Sequence, residues 1–201
     1  ENVTADEQFK LNPSSPYAAT KAAAELLANS YSATYGSDVI ITRCTNNYGP
    51  RQFAEKLIPK TILLANKDMK IPIYGKGTNI RDWIYVDDHC DAVLLTLLNG
   101  KSGKSYNISA NNEIDNLTVV RKILEIMNKP EDLIDFVEDR PGHDFRYSMD
   151  SKKISDELGW RVKSNFDDGL RKTIQWYLDR PDILNSVSST VLDSTPWKSS
   201  N

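Results

Sequence analysis

The amino-acid sequence predicts an α/β fold organised around a largely parallel sheet. Three observations carry that expectation. Short apolar runs of strand length alternate with stretches rich in helix formers along most of the chain. With 201 residues, 39% of them hydrophobic, the chain can bury a substantial core. No internal repeat is present, and the most apolar run, 93–98, is interrupted by Thr96 and far too short to span a bilayer.

The first helix opens at Ser14-Ser15-Pro16. Ser15 can accept from a free N–H of the first turn, and Pro16 at the first helical position sacrifices no hydrogen bond. Ala22, Ala23, Ala24, Glu25, Leu26 and Leu27 favour helix, and Gly36 stops it. Val39-Ile40-Ile41 reads as a short buried strand, ended by the turn signals of Asn46-Asn47-Tyr48-Gly49-Pro50. A second helix is expected over 54–66, with Pro59 either kinking it or resetting its start. Ile71-Pro72-Ile73-Tyr74 and 80–86 are strand-like and joined by Gly75-Lys76-Gly77. Asp87-Asp88 starts a helix whose apolar positions Val93, Leu94, Leu97 and Leu98 share one face. A strand over 105–109, a helix over 117–127 and a strand over 134–137 follow. Helices over 151–158 and 166–178 complete the pattern. Beyond Pro181 a Ser/Thr-rich tail is expected to be loosely held.

Composition narrows the function. A net charge of -3 excludes nucleic-acid binding driven by surplus cations. An aromatic content of 9% excludes a disordered chain. Cys44 and Cys90 give no disulfide framework and fit reduced thiols in the cytoplasm. The chain starts at Glu1, and its methionines are Met69, Met127 and Met149, so the expectation is a processed chain or part of a longer one.

Tyr17 and Lys21 stand four apart on the first helix, which puts a phenol and an ammonium on one face. A tyrosine of ordinary pKa, about 10, is a poor base near neutrality, and an adjacent cation stabilises its phenolate. The pair is suited to taking a hydroxyl proton while hydride leaves the same carbon. The same spacing also arises by chance, so its surroundings have to decide. A dinucleotide site requires a glycine-rich turn between strand and helix, and none is found. Gly75-Lys76-Gly77 joins two strands, and Gly103-Lys104-Ser105 has Leu98 where a P-loop needs its first glycine. His89, Cys90, Cys44 and His143 lack zinc-site spacing, and no serine-nucleophile motif occurs. Asp87, Asp88 and Asp91 fit the solvated start of a helix.

Two segments resist so plain a reading. Asn46-Asn47-Tyr48-Gly49-Pro50 leaves a strand end with two amides, where open α/β sheets bind ligands. Asp139-Arg140-Pro141-Gly142-His143-Asp144 leaves another and carries an Arg and a His on a stiff turn. Arg81, inside the otherwise apolar Ile80-Arg81-Asp82-Trp83-Ile84, needs an anion, either Asp82 or a bound phosphate. Tyr74 is either core filling or a flat stacking surface for a base.

Taken in order, six segments resemble the dTDP-glucose 4,6-dehydratase family, extended short-chain dehydrogenase/reductases acting on nucleotide sugars. They are Ser14-Ser15-Pro16-Tyr17 with Lys21, Asn46-Asn47-Tyr48-Gly49-Pro50, Glu55-Lys56-Leu57-Ile58-Pro59, Pro72-Ile73-Tyr74-Gly75-Lys76-Gly77, Ile80-Arg81-Asp82-Trp83-Ile84-Tyr85-Val86 and Asp139-Arg140-Pro141-Gly142-His143-Asp144. The match runs from about Pro13 to about Leu178. The resemblance implies the later part of a Rossmann-type parallel sheet interwoven with a smaller α/β substrate-binding domain. On that reading 1–53 ends the NAD-binding part, 54–82 binds substrate, 83–110 returns to the Rossmann part, 111–180 is the substrate-binding domain and 181–201 is tail.

The resemblance further implies NAD as cofactor and a dTDP-sugar as substrate. The reaction would be oxidation at C4, elimination of water across C5 and C6, and reduction at C6. Tyr17 would be the catalytic tyrosine, and Lys21 would support it and hold the nicotinamide ribose. Asn46 would touch substrate and Asn47 the cofactor. Lys56, Leu57, Pro72, Ile73 and Tyr74 would line the dTDP site, and Arg81, Asn116, Arg140 and His143 would hold the diphosphate and nucleoside. A homodimer through the Ala-rich surface of the Tyr17 helix is also implied. The family's glycine-rich turn and its Thr-Asp-Glu run are missing, and Thr4-Ala5-Asp6-Glu7 is not that run. The expectation is a carboxy-terminal portion that lacks the elimination chemistry by itself. A related nucleotide-sugar epimerase or decarboxylase, or a non-catalytic sugar-nucleotide-binding or dimerising module, are the competing readings.

Overall fold

The structure is a computed structural model that describes residues 4–139, 142 and 144–193. In chain order the elements are α1 (Pro16–Tyr35), β1 (Ile41–Cys44), β2 (Asn46–Tyr48), α2 (Leu57–Asn66), β3 (Ile71–Tyr74), β4 (Ile80–Tyr85) and α3 (Val86–Asn99). There follow β5 (Ser105–Ile108), β6 (Glu113–Asp115), α4 (Asn116–Ile126), β7 (Ile134–Val137), β8 (Arg146–Tyr147), α5 (Lys152–Leu158), α6 (Phe166–Leu178) and α7 (Pro181–Asn185). The chain forms two compact units, one from Glu1–Asn47, Asp82–Asn112 and Tyr147–Lys163, the other from Tyr48–Arg81, Glu113–Arg146 and Ser164–Asn201.

In the first unit β1 and β5 pair in parallel, Ile41 opposite Ser105 and Cys44 opposite Ile108. Parallel pairing demands a crossover, and α3 supplies it. Its core holds Ile84, Ala92, Tyr106, Ile108, Ile154 and Trp160. In the second unit β3 and β7 pair in parallel, Ile71 opposite Ile134 and Tyr74 opposite Val137, with α4 as the crossover. The helical spacing of Val119, Val120, Ile123 and Leu124 buries all four, and Val120 and Leu124 pack in the core with Ile71, Ile73, Leu64 and Leu133. Full burial of each such side chain contributes about 1.5–3 kcal/mol. Asp115 starts α4 by accepting from the Thr118 N–H at 2.8 Å.

The structure departs from the sequence expectations in instructive places. Asn46-Asn47-Tyr48 is a strand rather than a turn, because Tyr48 is buried with its ring 5.0 Å from that of Phe166 and its hydroxyl donating to the Phe166 carbonyl. Packing of this kind overrides the low strand propensity of Asn. The β1 ladder begins at Ile41, not Val39, since Ser105 is the first partner. Pro59 neither kinks nor interrupts α2; as its third residue it sits where no intrahelical N–H bond is made. The apolar stripe of α3 lies outside: Leu94, Leu97 and Leu98 are exposed, and the helix packs through Ala92 and Thr96. Asp88 is buried rather than solvated, accepting from the Lys163 N–H at its carboxylate and from the Trp160 indole at its carbonyl. Ile154 and Trp160 pack into the first unit's core, so 147–163 stands apart from the rest of 111–180. The described part of the tail is docked, with Leu192 against the second core and the Lys60 ammonium donating to the Asp193 carbonyl at 2.6 Å. Among the described residues no helix is long and apolar enough to cross a membrane.

Candidate active site

In the first unit Ser15 caps α1 by accepting from the Ala18 N–H at 3.2 Å, with Pro16 at the first helical position. Tyr17 and Lys21 follow on its first turns and are both exposed; at 75% exposure the phenol is open to a ligand rather than sealed in a core. β1 faces the same helix through Arg43, whose Nε and Nη2 donate to Glu25 Oε2 at 3.0 Å and Oε1 at 2.5 Å. That pair ties the Tyr17 helix to β1, which ends at Cys44 just before Asn46 and Asn47 open β2. The carboxylate beside it raises the Arg43 pKa, against a smaller opposing effect of burial. Asn46 and Asn47 are half-buried, and the Asn47 amide donates to Cys44 Sγ and to the Thr45 carbonyl, both at 3.3 Å. The neighbouring strand end is organised by buried Asp82, which accepts from Ser109, from the Asn111 N–H at 3.2 Å and from the Asn112 N–H at 3.0 Å.

In the second unit the carboxyl ends of β3 and β7 place Tyr74 opposite Val137 and bring the following segments together. The Gly75 N–H donates to the Val137 carbonyl at 2.9 Å. Gly75 has a φ of +59°, and a Cβ there would lie 3.0 Å from Asp139 Oδ2, so only glycine suits this approach. The start of α4 is fastened to the β3–β4 connection: Leu117 N–H to the Gly77 carbonyl at 3.0 Å, and Asn116 N–H to the Asn79 carbonyl at 3.1 Å. Asn79 donates from its amide to the Asp144 carbonyl at 3.2 Å. Arg81 is buried and donates to the carbonyls of Asp144 at 2.6 Å, Ile80 at 2.6 Å and Phe145 at 3.4 Å. Tyr74, Asn116, Arg81 and the segment after β7 are thus gathered by one hydrogen-bonded frame at a sheet's carboxyl end, the usual ligand position in such sheets.

The remaining expectations sort themselves by burial. Pro72 and Tyr74 lie on the half-exposed side of β3, so Tyr74 does not fill the core. Ile73 points the other way, is 2% exposed in the core, and has only its backbone to offer. Leu57 packs against that core, while Lys56 is exposed and paired with Glu55 at 2.8 Å. Asp82 is not the anion for Arg81, because adjacent strand residues face opposite ways and Asp82 is taken by Ser109 and the 111–112 backbone. Arg140 and His143 lie outside the described residues. Sequence reasoning missed Glu25 and Arg43; a lone arginine in a β-strand and an acid one turn beyond Lys21 were the available signals.

A family model described as GDP-mannose 4,6 dehydratase matches residues 1–173. The probable dTDP-glucose 4,6-dehydratase of Sinorhizobium fredii is 48% identical over 181 residues, 87% of this chain and 52% of the relative. The dTDP-glucose 4,6-dehydratase of Salmonella typhimurium is 47% identical over 90% of this chain and 52% of its own length. The crystal structure of a Streptomyces venezuelae dTDP-glucose 4,6-dehydratase with NAD bound superposes with a TM-score of 0.88 at 42% identity, covering 90% of this chain and 56% of that one. The chain spans about half the length of the curated relatives it matches. Its α/β architecture with parallel strand pairs is that of these Rossmann-type dehydratase structures. Through both of its units, from the segment before α1 into α6, the chain belongs to the GDP-mannose 4,6 dehydratase family.

Proposed function

We propose that this chain carries the proton-transfer pair and the nucleotide-holding frame of a dTDP-glucose 4,6-dehydratase, which converts dTDP-glucose to dTDP-4-keto-6-deoxyglucose and water. The observation behind this reading is the exposed Tyr17–Lys21 face of α1, tied by Arg43 to β1, the strand that leads into Asn46 and Asn47. Identity near one half to dTDP-glucose 4,6-dehydratases supports the choice of substrate.

Tyr17 takes the proton of the C4 hydroxyl, and the Lys21 charge lowers the cost of the phenolate. An open phenol and ammonium one helical turn apart also fit a nicotinamide ribose, and Asn47 contacts the cofactor. Bound NAD would supply the hydride acceptor for C4 and the hydride donor for C6. Among the described residues no glycine-rich strand-to-helix turn is present to cradle its pyrophosphate. Asn46 touches the sugar. Tyr74 stacks on the base beside Lys56, Leu57, Pro72 and the Ile73 backbone, while Arg81, Asn116, Arg140 and His143 hold the diphosphate and nucleoside. The acid and base of the water elimination are not assigned to residues of this chain.

The exposed Leu26, Leu27 and Tyr31 of α1, with Leu94, Leu97 and Leu98 of α3, support association into a homodimer. Two free thiols, Cys44 and Cys90, suit the cytoplasm. Tyr17→Phe in the enzyme carrying this chain tests the reading. Turnover of dTDP-glucose falls at least about 100-fold, the scale of general acid–base catalysis, while dTDP affinity is kept. Unchanged turnover would overturn it.

A further inference from the structure

α1 presents Tyr17 and Lys21, yet none of its residues is buried. Its half-buried edge runs through Ala18, Ala22, Glu25 and Ala28, and small side chains cannot lock a helix in rotation. Among the described residues, Glu25 makes the one hydrogen-bonded link from an α1 side chain to a strand. Both of its carboxylate oxygens are taken by Arg43, whose Nη1 also donates to the Glu7 carbonyl at 3.1 Å. The two side chains keep only 20% and 13% exposure, so the pair is shielded from solvent. Bidentate geometry of this kind fixes orientation as well as charge.

Glu25 also stands four residues beyond Lys21, the spacing at which a helix pairs an ammonium with a carboxylate. Such a pair would neutralise the charge that Tyr17 depends on. Lys21 has no ion-pair partner among the described residues. We propose that Arg43 is a positioning residue that withholds Glu25 from Lys21, leaving the ammonium to act on Tyr17 while it fixes the rotation of α1. This rests on the reading of Tyr17 as proton acceptor. The other titratable groups facing Arg43 are Glu7, from the segment before α1, and Tyr147 of β8, and neither belongs to α1.

The test is a pair of variants read by pH rather than by rate alone. In Arg43→Met, Glu25 is released to Lys21. The NMR titration midpoint of the Tyr17 ring in this chain then moves up by several tenths of a pH unit relative to the unaltered chain. The acid limb of kcat in the enzyme carrying it moves the same way, with KM for the dTDP-sugar unchanged. In Arg43→Met/Glu25→Gln the midpoint and the limb return, because an amide cannot neutralise Lys21. A purely structural role for Arg43 predicts no such return, and equal midpoints in all three chains would overturn the proposal. If Arg43→Met fails to fold, Arg43→Gln with and without Glu25→Gln gives the same comparison. A Tyr17→Phe enzyme that keeps its turnover would instead sink the assignment of Tyr17, whatever the titrations show.

Discussion

Arg81 Nη2 donates to the backbone carbonyl of Asp144 at 2.6 Å, so a guanidinium buried in β4 braces the segment that follows β7. The same side chain is proposed to hold the diphosphate. Arg81→Ala removes a charge-assisted donor and loosens its neighbour, and dTDP affinity falls by about 1.5–3 kcal/mol. Calorimetric titration with dTDP measures it. Unaltered affinity would leave Arg81 with the brace alone.

Tyr177 is 1% exposed and donates its hydroxyl to the Gln52 carbonyl, and burial pushes its pKa up to about 12. The unfolded chain releases this proton near 10, so folding protects it between those values. The stabilisation is complete below about pH 10 and is lost as pH rises toward 12, on the order of 2 kcal/mol. Urea unfolding between pH 8 and 11 shows the decline. Tyr177→Phe costs roughly 1 kcal/mol at pH 8 and flattens the slope above 10. An equally steep slope in the variant would assign the effect to another group.

Lys60 is 9% exposed, and burial lowers its pKa while Asp193 opposes that effect. Its ammonium reaches the Asp193 carbonyl. Truncation after Ser188 removes that acceptor along with Leu192, and costs about 1–3 kcal/mol as a buried donor loses its partner. In a Lys60→Met background the same truncation costs less by about 1 kcal/mol, because no charge is stranded. Equal costs in both backgrounds would show that only the Leu192 packing matters.

Leu97 and Leu98 are 74% and 69% exposed on α3. Replacing both by Glu changes the stability of a monomer by no more than about 0.5 kcal/mol per site. Self-association measured by sedimentation equilibrium weakens strongly in the double variant. A dimer of unchanged affinity would move the contact to another face.

Much of this molecule was legible in its residue order. Ser15-Pro16 and Gly36 bound α1 as local chemistry requires, because a cap hydroxyl, a fixed φ and a left-handed glycine act within one turn. The parallel pairs followed from strands alternating with helices. Burial partners were not legible. The Val93, Leu94, Leu97 and Leu98 stripe has the pattern of a core face, yet three of these are well exposed and Ala92 and Thr96 make the contacts. Periodicity marks an apolar face without saying what covers it.

Residue order alone specifies the elements, the Tyr17–Lys21 spacing and the ordered segments that mark the family. All of these rest on interactions within a few residues, or on residue identity alone. Packing in three dimensions selects Arg43 as the holder of Glu25, gives Asp82 to 109–112 rather than to Arg81, turns Ile73 to the core, and docks Leu192 and Asp193. Those choices join residues 18 to 133 positions apart. They depend on which atoms are desolvated together, a property of the packed chain that no local window contains.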